Sequence, residues 1–446
     1  MADGTNPRVS IVGAGLGGAL MAAYLGQAGF PVEVYERRPD PRVGPVAGGR
    51  SINLAISVRG IHALREVGVA DEVLRMAVPM RGRMIHGLGG ELTFQPYGVC
   101  DEECINSVSR AGLNLALVSA AEHCPNVRMH FDHRCTGIDL ETGAVELCNG
   151  SSGEALRAEG DLVIGGDGAF SAVRASMQRL DRFDYSQDYL EHGYKELSIP
   201  AKPGGGFMLE PNALHIWPRR SFMMIALPNI DGSFTCTLFF PHEGPESFAA
   251  LRTEADVLRF YEATFPDAVP LMPTLCEDFF GNPTGSLVTV RCGPWHYRGK
   301  VVLMGDAAHA VVPFYGQGAN AAFEDCTVLN QCLRDHGSDW GRAFERFYAL
   351  RKPDADALAD LAIANFIEMR DHTGSKVFLM KKKAEKLLHR LFPHWYVPLY
   401  TLVSFTRTPY AEAVHQARVQ NRVVLDLVIS LLISLAVLLA LVMYLT

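Results

Sequence analysis

The stretch RVSIVGAGLGGALMAAYLGQAGFPVEVYE, residues 8–36, leaves few folds open to its chain. An apolar, β-branched run feeds directly into G-x-G-x-x-G, a helical period follows, and a second β-branched run ends in an acid. Such a β-α-β unit builds a parallel sheet layered with helices, and each glycine has its own physical task. Gly13 permits the tight turn, Gly15 lets a pyrophosphate approach the backbone where the helix opens at Leu16, and Gly18 lets that helix pack on the strand. Glu36, 23 residues beyond Gly13, is spaced to accept from ribose hydroxyls. Together these features predict a dinucleotide site, with a ligand-free glycine turn as the plainer alternative. The motif alone does not choose between NAD and FAD.

From about residue 180 to 290 the character changes to strand-like runs, YKELSIP, ALHIWP, SFMMIALP and SFTCTLFF, before a buried strand returns at GKVVLMGD. The expected fold is α/β: a Rossmann-like nucleotide-binding domain over 8–180 and 290–330, with an inserted, mainly antiparallel β-sheet substrate domain over 181–289. A helical region over 331–422 and a transmembrane helix over 423–446 complete it. The last rests on residues 427–446, 20 in a row without a charge. As a helix they reach about 30 Å, enough to cross a hydrocarbon core. Arg418 and Arg422 flank them on the side of the main body. A net charge of −8 with no basic, aromatic-interleaved stripe excludes a general nucleic-acid binder. The ten cysteines are scattered without a C-x-x-C pair, so neither a disulfide framework nor a metal site is expected. No apolar leader precedes the first strand, so secretion is not expected.

Two further segments carry a family signature. DLVIGGDGAFSAVR supplies Asp167, Gly168, Ser171 and Arg174 in D-G-x-x-S-x-x-R order, and VVLMGDAAHAVVPFYGQGAN holds a second glycine-punctuated loop opening a helix. With the first motif they resemble the FAD-dependent aromatic hydroxylases that have a single dinucleotide-binding fold. That resemblance implies FAD, with Asp306 on its ribitol or ribose hydroxyls, and with Arg37, Arg50, Ala55 and Arg110 among its contacts. For the arginines, solvated salt bridges are the alternative. It also gives the second loop a purpose. Reduced flavin becomes anionic along one ring edge, and the backbone of Gly316, Gln317, Gly318, Ala319 and Asn320 would aim a helix N-terminus there.

Within that class, GRSINLAISVRG, PMRGRMIHG, PYG, RFDYSQDYLEHGYKEL, LHIWPR, FMMIALPN, FTCTLF and NFIEMR resemble the kynurenine 3-monooxygenase family, collinearly from near residue 8 through the apolar tail. The resemblance implies that NADPH reduces FAD, that O2 forms a flavin C4a-hydroperoxide, and that its distal oxygen passes to kynurenine ortho to the amino group. Because the aniline nitrogen already enriches that carbon, no dedicated catalytic base is assigned. Arg83 would pair with the substrate carboxylate, helped by Tyr97 and Tyr400. Asn365, with Glu368 and Met369 one turn on, would meet the amino-acid end. Leu214, Ile225, Thr237, Phe239, Pro313 and Phe314 would wall the ring. His309 is assigned a structural role, because nothing in the sequence places an acidic orienting partner near it. NADPH, with no second G-x-G-x-x-G to hold it, would bind transiently at the surface. The resemblance further implies a cytosolic body anchored in the mitochondrial outer membrane, with the endoplasmic reticulum as the alternative. The competing expectations are a flavin hydroxylase of another aromatic, and a flavin-fold escort protein that has lost its cofactor.

Overall fold

The computed structural model describes residues 6–43, 53–98, 100, 102–369 and 376–445. Strand Val9–Val12 lies at the heart of a six-stranded sheet, paired in parallel with Leu162–Gly165 on one side and Val32–Tyr35 on the other. Val301–Leu303 extends it in parallel beyond Leu162–Gly165, Val127–His130 extends it beyond Val32–Tyr35, and the two-residue strand His296–Tyr297 closes one edge antiparallel. All four residues of Val9–Val12 and of Leu162–Gly165 are buried, as strands covered on both faces are, with Ser10 the one polar residue among them. Helix Leu16–Gln27 packs on this sheet with ten of its residues buried, beside helices Arg110–Glu122 and Gly318–His336.

The second large sheet has seven strands, in the order Gly285–Gly293, Asp184–Ile199, Phe234–Pro241, Phe222–Pro228, Ala213–Arg219, Gly82–His86, Leu92–Pro96. It is antiparallel except where Ala213–Arg219 runs parallel to Gly82–His86, with Leu214 opposite Arg83. Its membership departs from the expected span of 181–289, because Gly82–His86 and Leu92–Pro96 come from the first part of the chain. One face carries its own core of Trp217, Phe222, Phe240 and Tyr261 under helix Glu254–Thr264, which Thr253 and Asp256 start with a reciprocal capping box. The other face, with Ile85, Ile216 and Phe239, packs on helix Trp340–Ile367 through Phe366.

Charged residues join the layers. Arg351, fully buried in helix Trp340–Ile367, bonds Asp325 Oδ1 at 2.8 Å, Glu324 Oε2 at 2.8 Å and Asp354 Oδ2 at 3.1 Å. Arg59 meets Glu324 Oε1 at 2.5 Å and lies 4.1 Å over the ring of Tyr410. Asp354 Oδ1 in turn accepts from the Ala411 amide at 2.9 Å, capping the last helix, Tyr410–Leu445. That helix has no break at 423: it docks through Tyr410, Ala413, Ala417 and Gln420 and then runs on as an exposed apolar rod. Its mean hydropathy reaches 2.8 over 18 residues with none of them buried, which makes it a candidate membrane span.

Removing Arg351 would take a charged partner from three buried carboxylates at once. Arg351→Met is expected to lower unfolding free energy by about 3–5 kcal/mol in denaturant titration, where a surface arginine such as Arg342 should give almost nothing.

Candidate active site

Three strands of the first sheet deliver loops to one place. After Val9–Val12 the chain turns at Gly13, whose φ is +97° and where a Cβ would come within 2.6 Å of the Gly166 carbonyl. A Cβ on Gly18 would lie 1.9 Å from the Gly13 carbonyl oxygen, so helix and strand touch through glycine alone. Gly15 differs: nothing stands within 4 Å of the place its Cβ would take. That open space lies at the start of helix Leu16–Gln27, which has neither a side-chain cap nor an acid in its first turn. Helix Gly318–His336, opened by the second glycine loop, is likewise uncapped and free of acids there. Elsewhere Ser109, Ser171, Thr253 and Asp339 cap their helices. Two helix N-termini with unspent amides, facing one cavity, fit a ligand carrying a diphosphate at one end and an electron-rich edge at the other.

The cavity has a volume of about 590 Å³ and is lined by both loops and by the large sheet. Gly13, Gly15, Leu16, Glu36, Arg37, Ala55, Arg110, Asp167, Asp306, Gly316, Gly318 and Ala319 all border it. Glu36 is buried and accepts from the Ala14 amide at 2.8 Å and from Arg38 Nε at 2.7 Å. Burial pushes its carboxyl pKa up, but the Arg38 hydrogen bond and charge outweigh burial and hold it low, so the carboxylate is kept as an acceptor. Asp306 presents an exposed carboxylate to the cavity. Asp167 is more constrained: its carboxylate accepts from Ser171 Oγ at 2.5 Å and the Ala172 amide at 2.7 Å, fixing the loop that borders the cavity. Arg174 is buried and ties that loop to the other through the carbonyls of Ala307 at 2.7 Å and Ala169 at 2.5 Å. These residues fit FAD in size, charge and hydrogen-bonding capacity.

Some expected contacts lie elsewhere. Gly18 is spent on packing against Gly13. Gln317 and Asn320 do not border the cavity: Gln317 accepts from Tyr410 Oη at 3.1 Å, and Asn320 accepts from the Ser57 amide at 2.9 Å while donating to the Ala55 carbonyl at 2.8 Å. Their side chains clamp the loop, leaving only its backbone toward the cavity. Arg50 lies outside the described residues. His309 does have an acidic partner, contrary to expectation. Its Nε2 is 2.6 Å from Asp325 Oδ2, which also accepts from the Gly305 amide at 2.8 Å. Burial would raise the Asp325 carboxyl, yet His309 and Arg351 outweigh it and hold the pKa at about 2. The pair is buried behind the loop and does not border the cavity.

At the other end of the cavity stands Arg83, 9% exposed, with a buried Nε that has no hydrogen-bond partner and with no salt bridge among the described residues. Burial works to discharge it, but Tyr400, Tyr97 and Glu368 outweigh burial and lift its pKa, so it stays a guanidinium. Tyr97 and Tyr400 stack at 5.1 Å between centroids, 5.7 and 5.2 Å from the Arg83 carbon, and the buried Tyr97 hydroxyl is also unpartnered. A buried cation and a hydroxyl, both with unused donors, are costly unless a ligand completes them. Leu214, Ile225, Phe239, Pro313, Phe314 and Met369 supply apolar wall. Asn365 does not reach the cavity; it donates to the Phe314 carbonyl at 2.6 Å and so holds the wall in place. Glu368 also stands back, 3.7 Å from Lys382 Nζ, and Thr237 lies wholly buried behind the wall. Several bordering residues went unforeseen, Met223, Leu227 and Tyr315 among them. Met223 and Leu227 follow from Ile225 by the period of two along strand Phe222–Pro228, and Tyr315, next to Phe314, stacks on Tyr400 at 5.8 Å.

Comparison with known proteins gives the same picture. A family model described as FAD binding domain matches residues 6–211 and 287–345. Curated relatives include kynurenine 3-monooxygenase of Myxococcus xanthus, 51% identical over 95% of this chain and 91% of that protein. The enzymes of the same name from Dictyostelium discoideum and Sus scrofa are 50% and 45% identical over 92% and 93% of this chain, and over 90% and 88% of their own lengths. Among solved structures, 2-methyl-3-hydroxypyridine-5-carboxylic acid oxygenase superposes with a TM-score of 0.67 at 23% identity, covering 85% of this chain and 96% of that one. A p-nitrophenol 4-monooxygenase of Pseudomonas putida gives 0.65 at 20% identity over 86% and 94%. These two establish the shared fold.

The glycines separate folding from binding. Gly15→Ala should leave the melting temperature of the FAD-free chain unchanged, yet weaken FAD binding by about tenfold or more, roughly 1.4 kcal/mol, in a fluorescence titration. Gly18→Ala should prevent folding altogether.

Proposed function

Since this chain belongs to the kynurenine 3-monooxygenase family of FAD-dependent hydroxylases, we propose that Arg83 is the group that selects L-kynurenine and presents it for hydroxylation to 3-hydroxykynurenine, at the expense of NADPH and O2. The observation that carries the reading is the buried, charged Arg83 with its unused Nε, in the same cavity as the two glycine loops. A substrate carboxylate satisfies it through charge-assisted bonds, and the Tyr97 hydroxyl supplies a further donor. Leu214, Ile225, Phe239 and Phe314 then receive the aromatic ring and exclude water from it. Phe314 is itself fixed, stacked on Phe366 at 4.2 Å and held through its carbonyl by Asn365.

FAD, when bound along the glycine loops, supplies the electron transfer from NADPH and the activation of O2. The chain's contribution is placement. With the carboxylate anchored on Arg83, the ring carbon ortho to the amino group is directed toward the second glycine loop, and the amino group itself enriches that carbon. No side-chain base is needed for that attack, in keeping with the withdrawal of His309 behind the loop. NADPH acts as a transient co-substrate at the surface. Helix Tyr410–Leu445 anchors the body on the cytosolic side of a membrane. In a cell that has mitochondria we place it in their outer membrane, although the Myxococcus xanthus relative shows that the family does not require that organelle.

Two substrates and two proteins test the role of Arg83. Wild-type protein should use the decarboxylated analogue of kynurenine less well by a factor on the order of 10², about 3 kcal/mol in kcat/KM. Arg83→Met should use both compounds about equally poorly. Equal use of both by the wild type would move the assignment to another aromatic substrate.

A further inference from the structure

Strand Gly82–His86 presents Arg83 and Ile85 to the cavity side of the large sheet, and Met84 and His86 to the far side. Its neighbour Ala213–Arg219 divides the same way, with Leu214 and Ile216 toward the cavity and His215 and Trp217 away from it. On the far side His86 and His215, each 2% exposed, form a chain of close polar contacts. His86 Nδ1 is 2.6 Å from Asp267 Oδ2, His86 Nε2 is 2.8 Å from His215 Nδ1, and His215 Nε2 is 2.9 Å from the Glu210 carbonyl oxygen. Trp217 stacks on His86 at 3.9 Å between centroids and donates from Nε1 to both Asp267 oxygens, at 3.1 and 3.0 Å.

The hydrogen bonds fix where the protons of this chain lie. A carbonyl oxygen only accepts, so His215 donates to Glu210 from Nε2 and keeps a lone pair on Nδ1. His86 then donates from Nε2 to His215 and from Nδ1 to Asp267, and with both nitrogens protonated it is an imidazolium. Its neighbours agree. Burial drives the His215 pKa down to about 4 and leaves that ring neutral. Burial pushes the Asp267 carboxyl up, but the bonds from His86 and Trp217 outweigh burial and hold it low, as a balancing carboxylate. The other charged groups around the pair are Arg219, which donates from Nη1 to the His86 carbonyl at 3.1 Å, Glu91 across the turn at Gly87, and Lys202 and Glu210 on the rim of the adjoining groove.

We propose that His86, protonated on both ring nitrogens, is a positioning residue: it pins strand Gly82–His86 to Ala213–Arg219 so that Arg83, on the opposite face, meets the substrate carboxylate. The proposal rests on Arg83 being the partner of that carboxylate. The two strands form the parallel joint of the large sheet, and beyond them stands the largely exposed edge strand Leu92–Pro96. A slip of one residue at that joint would turn Arg83 to the far side. Without the additional proton two lone pairs face each other across 2.8 Å, so the rings part or His215 gives up its bond to Glu210. Proton loss therefore loosens the joint, and the hold on the carboxylate weakens as pH rises.

Carboxylate selectivity reads this device: the dissociation constant of the decarboxylated analogue divided by that of L-kynurenine, both titrated into full-length, FAD-loaded protein by flavin absorbance. The two ligands share their amine and aniline groups, so the ratio isolates the contact with Arg83. In the wild type it should fall by about tenfold between about pH 6 and about pH 9. Asp267→Asn keeps an oxygen to accept from Nδ1 but removes the balancing charge, so the fall should come about one pH unit lower or more. His86→Phe keeps the stack on Trp217 and should give a ratio about tenfold below that of the wild type at low pH, flat with pH. A merely structural role would lower the melting temperature of Asp267→Asn without moving the midpoint of its pH profile. A wild-type preference for L-kynurenine that is flat with pH overturns the proposal, whether or not a variant folds, and so does a midpoint that Asp267→Asn leaves in place. Equal affinities for the two ligands in the wild type at every pH overturn the reading of Arg83 itself, and the proposal with it.

Discussion

Three parallel strands, Val9–Val12, Leu162–Gly165 and Val301–Leu303, lie side by side and end at the same edge of one sheet, and the site depends on that register. Each strand end releases a loop into a crevice outside the sheet, the usual place for ligands in open α/β folds. The closeness is extreme where Gly13 meets Gly166 and Gly18, so that no side chain fits between the first loop and its neighbours. With the loops so fixed, two uncapped helix ends border one cavity. One cofactor can then be held at its phosphates by one loop and at its ring by the other.

The second sheet adds what the first cannot. By pairing Gly82–His86 in parallel with Ala213–Arg219, it sets Arg83 opposite Leu214 and turns both toward the cavity. Burying an unpaired guanidinium is unfavourable, and the fold sustains it with stacked tyrosines and a distant carboxylate rather than a salt bridge. Behind the second loop a different rule holds. There Arg351, Arg59, Glu324, Asp325 and His309 satisfy one another, making a rigid backing against which Gly316, Gly318 and Ala319 present bare backbone. Behind the second loop the charges are paired with one another, whereas Arg83 is left open toward the cavity.

What was legible in the sequence was local. A strand, three glycines and an acid within 29 residues define a β-α-β unit by backbone sterics alone, and 20 uncharged residues define a long apolar helix. The placement of Asn320, Gln317 and Asn365 was not legible, because an amide side chain borders a ligand or clamps a loop according to partners far away in sequence. Ser57, Tyr410 and the Phe314 carbonyl are such partners. The Asp325 partner of His309 sits 16 residues on, across a loop and into the next helix, a distance that no periodicity connects. Likewise strand Gly82–His86 joins the large sheet across about 130 residues of chain, so a boundary drawn from composition could not include it.

The central claim is that substrate and cofactor share one cavity, the substrate held at Arg83 and the flavin ring at the second loop. Titrating L-kynurenine into FAD-loaded protein while recording the visible flavin spectrum tests it most directly, since a ring packed against flavin perturbs its absorbance. A saturable perturbation that accompanies faster flavin reduction by NADPH in stopped flow is the predicted result. A flavin spectrum and reduction rate that stay unchanged at kynurenine concentrations shown by calorimetry to saturate the protein would contradict it.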